Sequence, residues 1–163
     1  MRRMILPLML FVSVACQPAT MELTEEQKAG IADTVRQLSM DYLASVSTLD
    51  ADSVFSFNVD SDEYAWSMDA VLSLDFEADK AAAAEKYAAA SSAHVALDTV
   101  RIAVLGPDAA VLSAAGAVVV TDSAGQTVEM GLALTFVAAR RGGRWVLLQG
   151  HASHAPPRLV EGG

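Results

Sequence analysis

The sequence predicts an α+β fold in which helices come first and a single antiparallel sheet comes last. Residues 24–49 repeat apolar side chains every three or four positions, which is the period of a helix with one buried face. Residues 94–153 instead form four long apolar runs separated by short turns, most of which contain glycine. Helical and strand patterns therefore do not alternate as they do in α/β proteins.

Composition sets the size and the number of domains. The chain has 163 residues, of which 53% are hydrophobic and 19% are charged. These values are typical of one folded domain with a core of its own.

The N-terminus has the pattern of a secretory signal. Arg2 and Arg3 precede an apolar segment from Met4 to Ala15, which is too short to span a bilayer as a helix. The residues "SVAC" that end at Cys16 resemble the lipobox of bacterial lipoproteins. This resemblance predicts a signal peptide over residues 1–15, lipidation of Cys16 and a tether over residues 16–23. Ser13 stands where that family prefers a leucine-like residue, so a plain secretory signal with an incidental cysteine is the alternative.

Charge and cysteine content exclude several classes of protein. Cys16 is the only cysteine, so no intrachain disulfide can form. Loss of Arg2 and Arg3 with the signal would change the net charge from −9 to −11. A domain this acidic is not expected to bind nucleic acid, and its one expected membrane contact is the lipid anchor.

The N-terminal half is predicted to contain three helices and a hairpin. Thr24 and Gln27 have the spacing of a capping box at the start of a long helix. A short helix is expected within "DADSVFSF", with Asp50 or Asp52 as its cap. Two apolar runs separated by "SMDA" predict a hairpin, and the alanine-rich stretch "EADKAAAAEKYAAASS" predicts a helix. The apolar stripe of the long helix consists of Ile31, Val35, Leu38, Tyr42, Val46 and Leu49.

The C-terminal half is predicted to be an antiparallel meander. Its third strand places large apolar residues such as Met130 and Phe136 on one face and small ones such as Gly131 and Ala133 on the other. The long helix covers one face, and we expect a second copy of the chain to cover the other, giving a homodimer through the sheet. The expected strands are 94–105, 109–121, 127–139 and 144 to about 153.

The order of these elements resembles the nuclear transport factor 2-like superfamily, and within it the SnoaL-like domains. The segment that carries the resemblance begins at "RIAVLGPDAAVLSAAG" and ends at "WVLLQGHASH". It implies a cone-shaped domain over residues 24–156, with helices packed on a curved antiparallel sheet around a pocket, and a flexible tail over residues 157–163. The superfamily includes enzymes as well as binding modules, so the fold alone does not choose a function. The catalytic motif of its enzymes has no match in this chain, and we therefore expect cofactor-free, non-catalytic binding of a small hydrophobic or amphipathic molecule or of a partner. The alternative is a cofactor-free isomerase, cyclase or hydrolase.

The last strand supplies the candidate polar site. Simple alternation puts Gln149, His151 and Ser153 on the same face as Trp145, and His154 on the other face. Gln149 and His151 are therefore predicted ligand-binding residues, and His151 is the candidate acid or base of the enzymatic alternative. A structural role that anchors the strand end is the other interpretation of His151.

Three aromatic residues complete the predicted pocket. Tyr42 on the long helix, and Tyr64 and Trp66 on the hairpin, are expected in its walls, although core packing is the more common role of such aromatic residues. No metal site is expected, because His151 and His154 diverge and because the acidic group Asp60, Asp62 and Glu63 lacks the glycine and the final glutamate of a calcium loop.

Overall fold

The computed structural model describes residues 22–160. The predicted signal peptide and the Cys16 lipidation site, together with the last three residues, lie outside the described residues. Within residues 22–160, no helix has both the length and the apolar character needed to cross a membrane.

The helices form where local patterns predict them. Helix α1 spans Glu25–Ser45 and begins with a full capping box, in which the Thr24 hydroxyl accepts the Gln27 N–H at 3.2 Å and the Gln27 side chain accepts the Thr24 N–H at 2.9 Å. A 3₁₀ turn, Val46–Thr48, leads to α2, Ala51–Phe55, which Asp50 caps. Helix α3 spans Phe76–Ala88. These bounds confirm the predicted helices.

The strands build one curved sheet. The hairpin consists of β1, Ala65–Met68, and β2, Val71–Ser73, and the meander of β3, Ala90–Gly106, β4, Ala109–Asp122, β5, Thr127–Arg141, and β6, Arg144–His154. Their spatial order is β2-β1-β6-β5-β4-β3. All neighbours are antiparallel except β1 and β6, which run parallel, a pairing that the sequence does not indicate.

Part of the predicted flexible tail is a strand. Arg158–Leu159 forms β7, which pairs antiparallel with the start of β5 at Glu129 and Val128. An ion pair of 2.9 Å between Arg158 and Glu129 accompanies this pairing. The expectation that the tail begins at residue 157 is therefore wrong for these two residues, because β5 extends past the end of β6 and leaves part of its edge free to pair.

The core lies between α1 and the concave face of the sheet. Val35 of α1, Leu112 of β4, Phe136 of β5 and Leu147 of β6 are each at most 1% exposed. A much smaller apolar cluster lies on the convex face, where Val59 covers Ala139, Val146 and Leu148. Helices on one side of a curved sheet confirm the predicted α+β cone.

An ion pair fixes the loop that follows α2. Arg141 donates to both carboxylate oxygens of Glu63, at 2.7 and 2.6 Å. The interaction lowers the pKa of Glu63, chiefly through the hydrogen bonds from Arg141. Glu63, one of the acidic residues weighed as a calcium ligand, is thus already neutralised by an arginine.

Candidate functional site

A cavity of about 660 Å³ opens inside the cone, between the concave face of the sheet, the three helices and the β1–β2 hairpin. Sites that enclose small molecules have volumes of about 300–1,000 Å³ and mainly apolar walls. The walls here fit that description, because they include Val46, Leu49, Val54, Phe55, Met68, Val71, Val118, Val120 and Met130.

Two of the predicted aromatic residues form one wall of the cavity. The ring of Tyr42 lies 5.9 Å from that of Trp66 and 5.2 Å from that of Phe136, and the last contact is edge-to-face. Tyr42 is 8% exposed, and burial raises the pKa of its hydroxyl well above the ordinary value. The structure thus brings Tyr42 and Trp66 together at the cavity, while contact with a ligand stays a prediction.

Tyr64 also lines the cavity, but its polar group is already engaged. Its hydroxyl donates to Asp79 of α3 at 2.9 Å, and its ring packs against Phe76 at 5.4 Å. Burial, and then the hydrogen bond with Asp79, raise the pKa of the Tyr64 hydroxyl. Tyr64 therefore links the hairpin to the first part of α3 and helps to close the cone.

A histidine and an aspartate meet on the lining of the cavity. Asp69, in the β1–β2 turn, accepts the backbone N–H of His154 at 2.8 Å, and its other carboxylate oxygen lies 2.9 Å from His154 Nδ1. The hydrogen bond from the His154 side chain, and then that from its backbone, lower the pKa of Asp69. Asp69 is thus an acceptor at neutral pH, so the hydrogen lies on Nδ1, and this tautomer of the imidazole has its lone pair on Nε2.

The turn that carries this aspartate has an unusual backbone. Asp69 has φ +48° and Ala70 has φ +69°, so two residues that are not glycine occupy the left-handed region. Such backbones cost free energy and persist where the surroundings hold them. The Asp69 N–H donates to Ala152 of β6 at 3.1 Å, which continues the parallel pairing of β1 and directs Asp69 to His154.

His151 and Gln149 lie on the convex face, away from the cavity, and their predicted position inside the cone is wrong. Val137 pairs with Gln149, but the next residue of β5, Ala138, pairs with Leu147, so Leu148 is a β-bulge. One extra residue exchanges the two faces of a strand from that point on. His154 therefore faces the cavity, while Gln149 and His151 are exposed.

Two other polar residues of the strands, His94 and Ser153, do not join the site. His94 pairs with Val119 and Ser153 with Ala133, both in convex positions. Within residues 22–160, no three His, Cys, Asp or Glu side chains come close enough together to hold a metal ion.

Asn58 is a cavity residue that sequence reasoning missed. It is 6% exposed, and its Nδ2 is buried without a hydrogen-bond partner in the part of the chain that the structure describes. Within "SFNVD" a single asparagine reads as an ordinary loop residue, so the sequence carries no signal for it. Only the isolated bridge between Asn58 and Leu147 of β6 brings it to the cavity.

The charged groups around the cavity are predominantly acidic. Among the described lining residues, Asp69 and Asp79 are the carboxylates and Lys86 of α3 is the one lysine or arginine. The positive charge of Lys86 also contributes to the lowered pKa of Asp69. This balance does not favour an anionic ligand.

A second cleft, of about 420 Å³, lies between α2 and α3. Lys80 and Asp52, two of its polar lining residues, already form an ion pair with each other. The cleft therefore offers less unused binding capacity than the cavity inside the cone.

The chain was compared with protein families and with curated proteins. The family model described as the calcium/calmodulin dependent protein kinase II association domain matches residues 32–156. No curated protein is significantly similar to the chain.

Solved structures share the fold at low identity. A Xanthomonas campestris protein named for the same association domain has a TM-score of 0.62 and 18% identity, with 91% of this chain and 99% of that one covered. A Novosphingobium aromaticivorans protein named as a scytalone dehydratase has a TM-score of 0.75 and 7% identity, with 86% and 94% covered. A Streptomyces avermitilis protein named as a dehydratase of the NTF2-like family has a TM-score of 0.70 and 15% identity, with 78% and 98% covered.

These likenesses confirm the nuclear transport factor 2-like fold. The sequence resemblance gave the SnoaL-like domains as the branch, whereas the family model gives the association domain. Identities this low show the fold alone, so the activities in the names of the two dehydratases stay with those proteins.

Proposed function

The chain belongs to the calcium/calmodulin dependent protein kinase II association domain family, and from that premise we propose that it is a binding module that holds a small, mainly apolar molecule inside its cone. The cavity of about 660 Å³, with its aromatic and aliphatic walls, is the observation that carries this proposal. On the cavity lining, Asp69 and Asp79 outnumber Lys86, which favours a neutral or amphipathic ligand over an anion.

Ligand binding can be tested with two neutral probes, 2-acetylnaphthalene and 2-ethylnaphthalene. Trp66 lies in the wall of the cavity, so its fluorescence should change when a probe binds. Titration of the domain over residues 22–160 should give saturable changes. A protein that responds to neither probe would overturn the proposed function.

Two substitutions on α3 provide matched variants for this titration. Ala83 lines the cavity, so Ala83→Phe should fill part of it and weaken binding of both probes at least tenfold. Ala78 is exposed on the same helix and lines neither cavity, so Ala78→Phe should bind as the wild type does. Equal weakening by both variants would place the binding site elsewhere.

A second candidate function is cofactor-free acid–base catalysis at His154, which the pairing with Asp69 favours. An imidazole whose Nδ1–H is held by a carboxylate can accept a proton at Nε2 from a substrate and return it to another atom. That chemistry suits isomerisation or elimination next to a carbonyl group. In this reading His154, and not His151, is the acid or base.

Proton exchange on a bound ketone tests this second function. In D₂O, the protein should exchange the acetyl methyl hydrogens of 2-acetyl-6-methoxynaphthalene, an elongated ketone with an acceptor oxygen at each end, faster than buffer does, as followed by proton NMR. His154→Gln should reduce exchange to the buffer rate, and His151→Gln, on the opposite face, should leave it unchanged. If the wild type binds the ketone but exchanges at the buffer rate, the protein is a binding module only.

We also propose that the mature protein is anchored to the bacterial cell envelope through lipid on Cys16. The lipobox resemblance of "SVAC" and the signal-like pattern of residues 1–15 support this proposal. In its host, the wild-type protein should occur in the membrane fraction, and Cys16→Ser should release it. Soluble, unlipidated wild-type protein would overturn the anchor.

Finally, we propose that two copies of the chain associate through the convex faces of their sheets. The word "association" in the family's description and the small, exposed side chains at the centre of that face support it.

A further inference from the structure

We infer that Asn58 sets the specificity of the cavity by donating a hydrogen bond from Nδ2 to an acceptor oxygen of the ligand. The inference rests on the proposed binding function and adds a ligand class to it. The ligand is a neutral, mainly apolar molecule that carries a carbonyl, ether or comparable acceptor oxygen.

The first support is that the donor is buried and unused. Asn58 is 6% exposed and lines the cavity, and its Nδ2 has no partner among the residues that the structure describes. Nearly all buried polar groups in folded proteins form hydrogen bonds, because an unpaired one loses its interaction with water and gains nothing in return. A partner supplied by a bound molecule removes this penalty.

The second support is that Asn58 cannot easily turn toward solvent. Leu147 of β6 donates its N–H to Phe57 at 2.9 Å and accepts that of Val59 at 3.0 Å, so the backbone on both sides of Asn58 is joined to the sheet. The Asn58 N–H itself donates to Phe55 at 3.1 Å. The side chain is therefore held at the cavity by three backbone hydrogen bonds around it.

The third support is the position of Asn58 relative to the other polar groups. It bridges to Leu147, and His154 follows seven residues later on β6, which at the rise of a strand is roughly 20 Å away. The ring of Trp66, which lies against Gly150 of β6, is between them. An acceptor oxygen at Asn58 is thus far from the His154–Asp69 pair, so the two groups would contact opposite ends of an elongated ligand or different ligands.

The chemistry of the donor defines what it selects. The Nδ2 amide group carries two N–H donors, either of which can donate to a lone pair of a carbonyl or ether oxygen. A carboxylate would also accept, but Asp69 and Asp79 on the lining outnumber Lys86 and disfavour an anion. A neutral ketone is therefore the simplest probe of this class.

The test compares two ligands that differ only in the acceptor. 2-Acetylnaphthalene and 2-ethylnaphthalene have similar shapes, but only the ketone has an oxygen. The wild type should bind the ketone roughly tenfold more tightly, the effect expected of one well-formed hydrogen bond. In Asn58→Leu the dissociation constant of the hydrocarbon divided by that of the ketone should fall to about one. The substitution removes the hydrogen bond to the ketone, whereas the hydrocarbon forms no hydrogen bond that could be lost.

A stability measurement separates this role from a structural one. Removing a buried, unpaired donor should leave the thermal midpoint of the unliganded protein unchanged or raise it, so Asn58→Leu is expected to be at least as stable as the wild type. If leucine proves too bulky to fold, Asn58→Ala provides the same ratio of affinities.

The outcomes are distinguishable. If the wild type binds both probes equally, or if Asn58→Leu and Asn58→Ala leave the preference for the ketone intact, the inference about Asn58 is wrong while the binding function stands. If the wild type binds neither probe, the proposed function fails and the inference fails with it.

Discussion

Among single residues, Asp69 and Ala70 connect the backbone of the fold most directly to the candidate chemistry. Both adopt left-handed backbones in the tight turn of the β1–β2 hairpin, where glycine and asparagine are the usual residues. A left-handed backbone costs a residue with a Cβ atom about 1–2 kcal/mol of folding free energy. The hydrogen bonds between Asp69 and His154 hold the turn and at the same time fix the tautomer of the histidine.

Relief of this strain gives the first prediction at this scale. Ala70→Gly should raise the free energy of unfolding by about 0.5–1 kcal/mol, because glycine adopts a positive φ without steric cost. Ala29→Gly, on the exposed surface of α1, should lower it by about 1 kcal/mol, since glycine weakens a helix. Urea unfolding measures both. Equal destabilisation by the two variants would contradict the left-handed turn.

The Asp69 carboxylate gives a prediction about pH. Its pKa is lower in the folded protein than in the unfolded chain, so it stabilises the fold above the unfolded value of about 4, and this contribution disappears as the pH falls through the folded value. The free energy of unfolding should therefore fall less between pH 7 and pH 3 in Asp69→Asn than in the wild type. An identical fall in both proteins would show that the pairing with His154 does not form.

At the scale of elements, the helices and turns could be predicted because their signals are local. The capping box at Thr24 and the alanine-rich α3 depend on neighbours within a few residues, and both elements formed as predicted. The sequence could not predict which residues of β6 face the cavity. Residues 145–148 are all apolar, so no alternation of polar and apolar residues shows where the strand changes face. The bulge at Leu148 then exchanged the positions expected for His151 and His154.

Strand β6 does carry one sequence signal of irregular packing, its internal glycine. A glycine inside a strand marks either a bulge or the close approach of another group. Gly150 lies two residues after the bulge at Leu148, and the ring of Trp66 from the parallel neighbour β1 lies against it. The parallel pairing of β1 with β6 and the position of Asn58 have no such signal, because each depends on contacts between residues more than eighty positions apart.

The contact between Trp66 and Gly150 gives the prediction for this element. A methyl group at Gly150 would overlap the indole ring, so Gly150→Ala should lower the free energy of unfolding by about 1–3 kcal/mol and should change the emission of Trp66. Gly30→Ala is the control, because nothing lies within 4 Å of its added methyl group and the exposed helix should gain stability. Retention of wild-type stability and emission in Gly150→Ala would contradict this packing.

At the scale of the whole molecule, the two faces of the sheet have different environments. The concave face is covered by α1 and carries the cavity. On the convex face, the loop after α2 buries only Ala139, Val146 and Leu148, and the centre of the sheet remains exposed at Ser113, Ala115, Ala133 and His151. Small side chains on a curved surface allow close approach of a second sheet, which is the basis for the proposed homodimer.

The centre of the convex face provides the test of that dimer. Ala115 and Ala133 are directly opposite each other on β4 and β5, so Ala133→Arg would place a long charged side chain in the middle of a sheet–sheet interface. Burial of an unpaired charge there should convert the dimer to a monomer. Ala29→Arg, at an exposed position of α1, should leave the dimer intact.

Sedimentation velocity should therefore give twice the chain mass for the wild type and for Ala29→Arg, and the single chain mass for Ala133→Arg. A monomeric wild type would overturn self-association, whereas an Ala133→Arg protein that remains dimeric would place the interface on another surface and leave the convex face free.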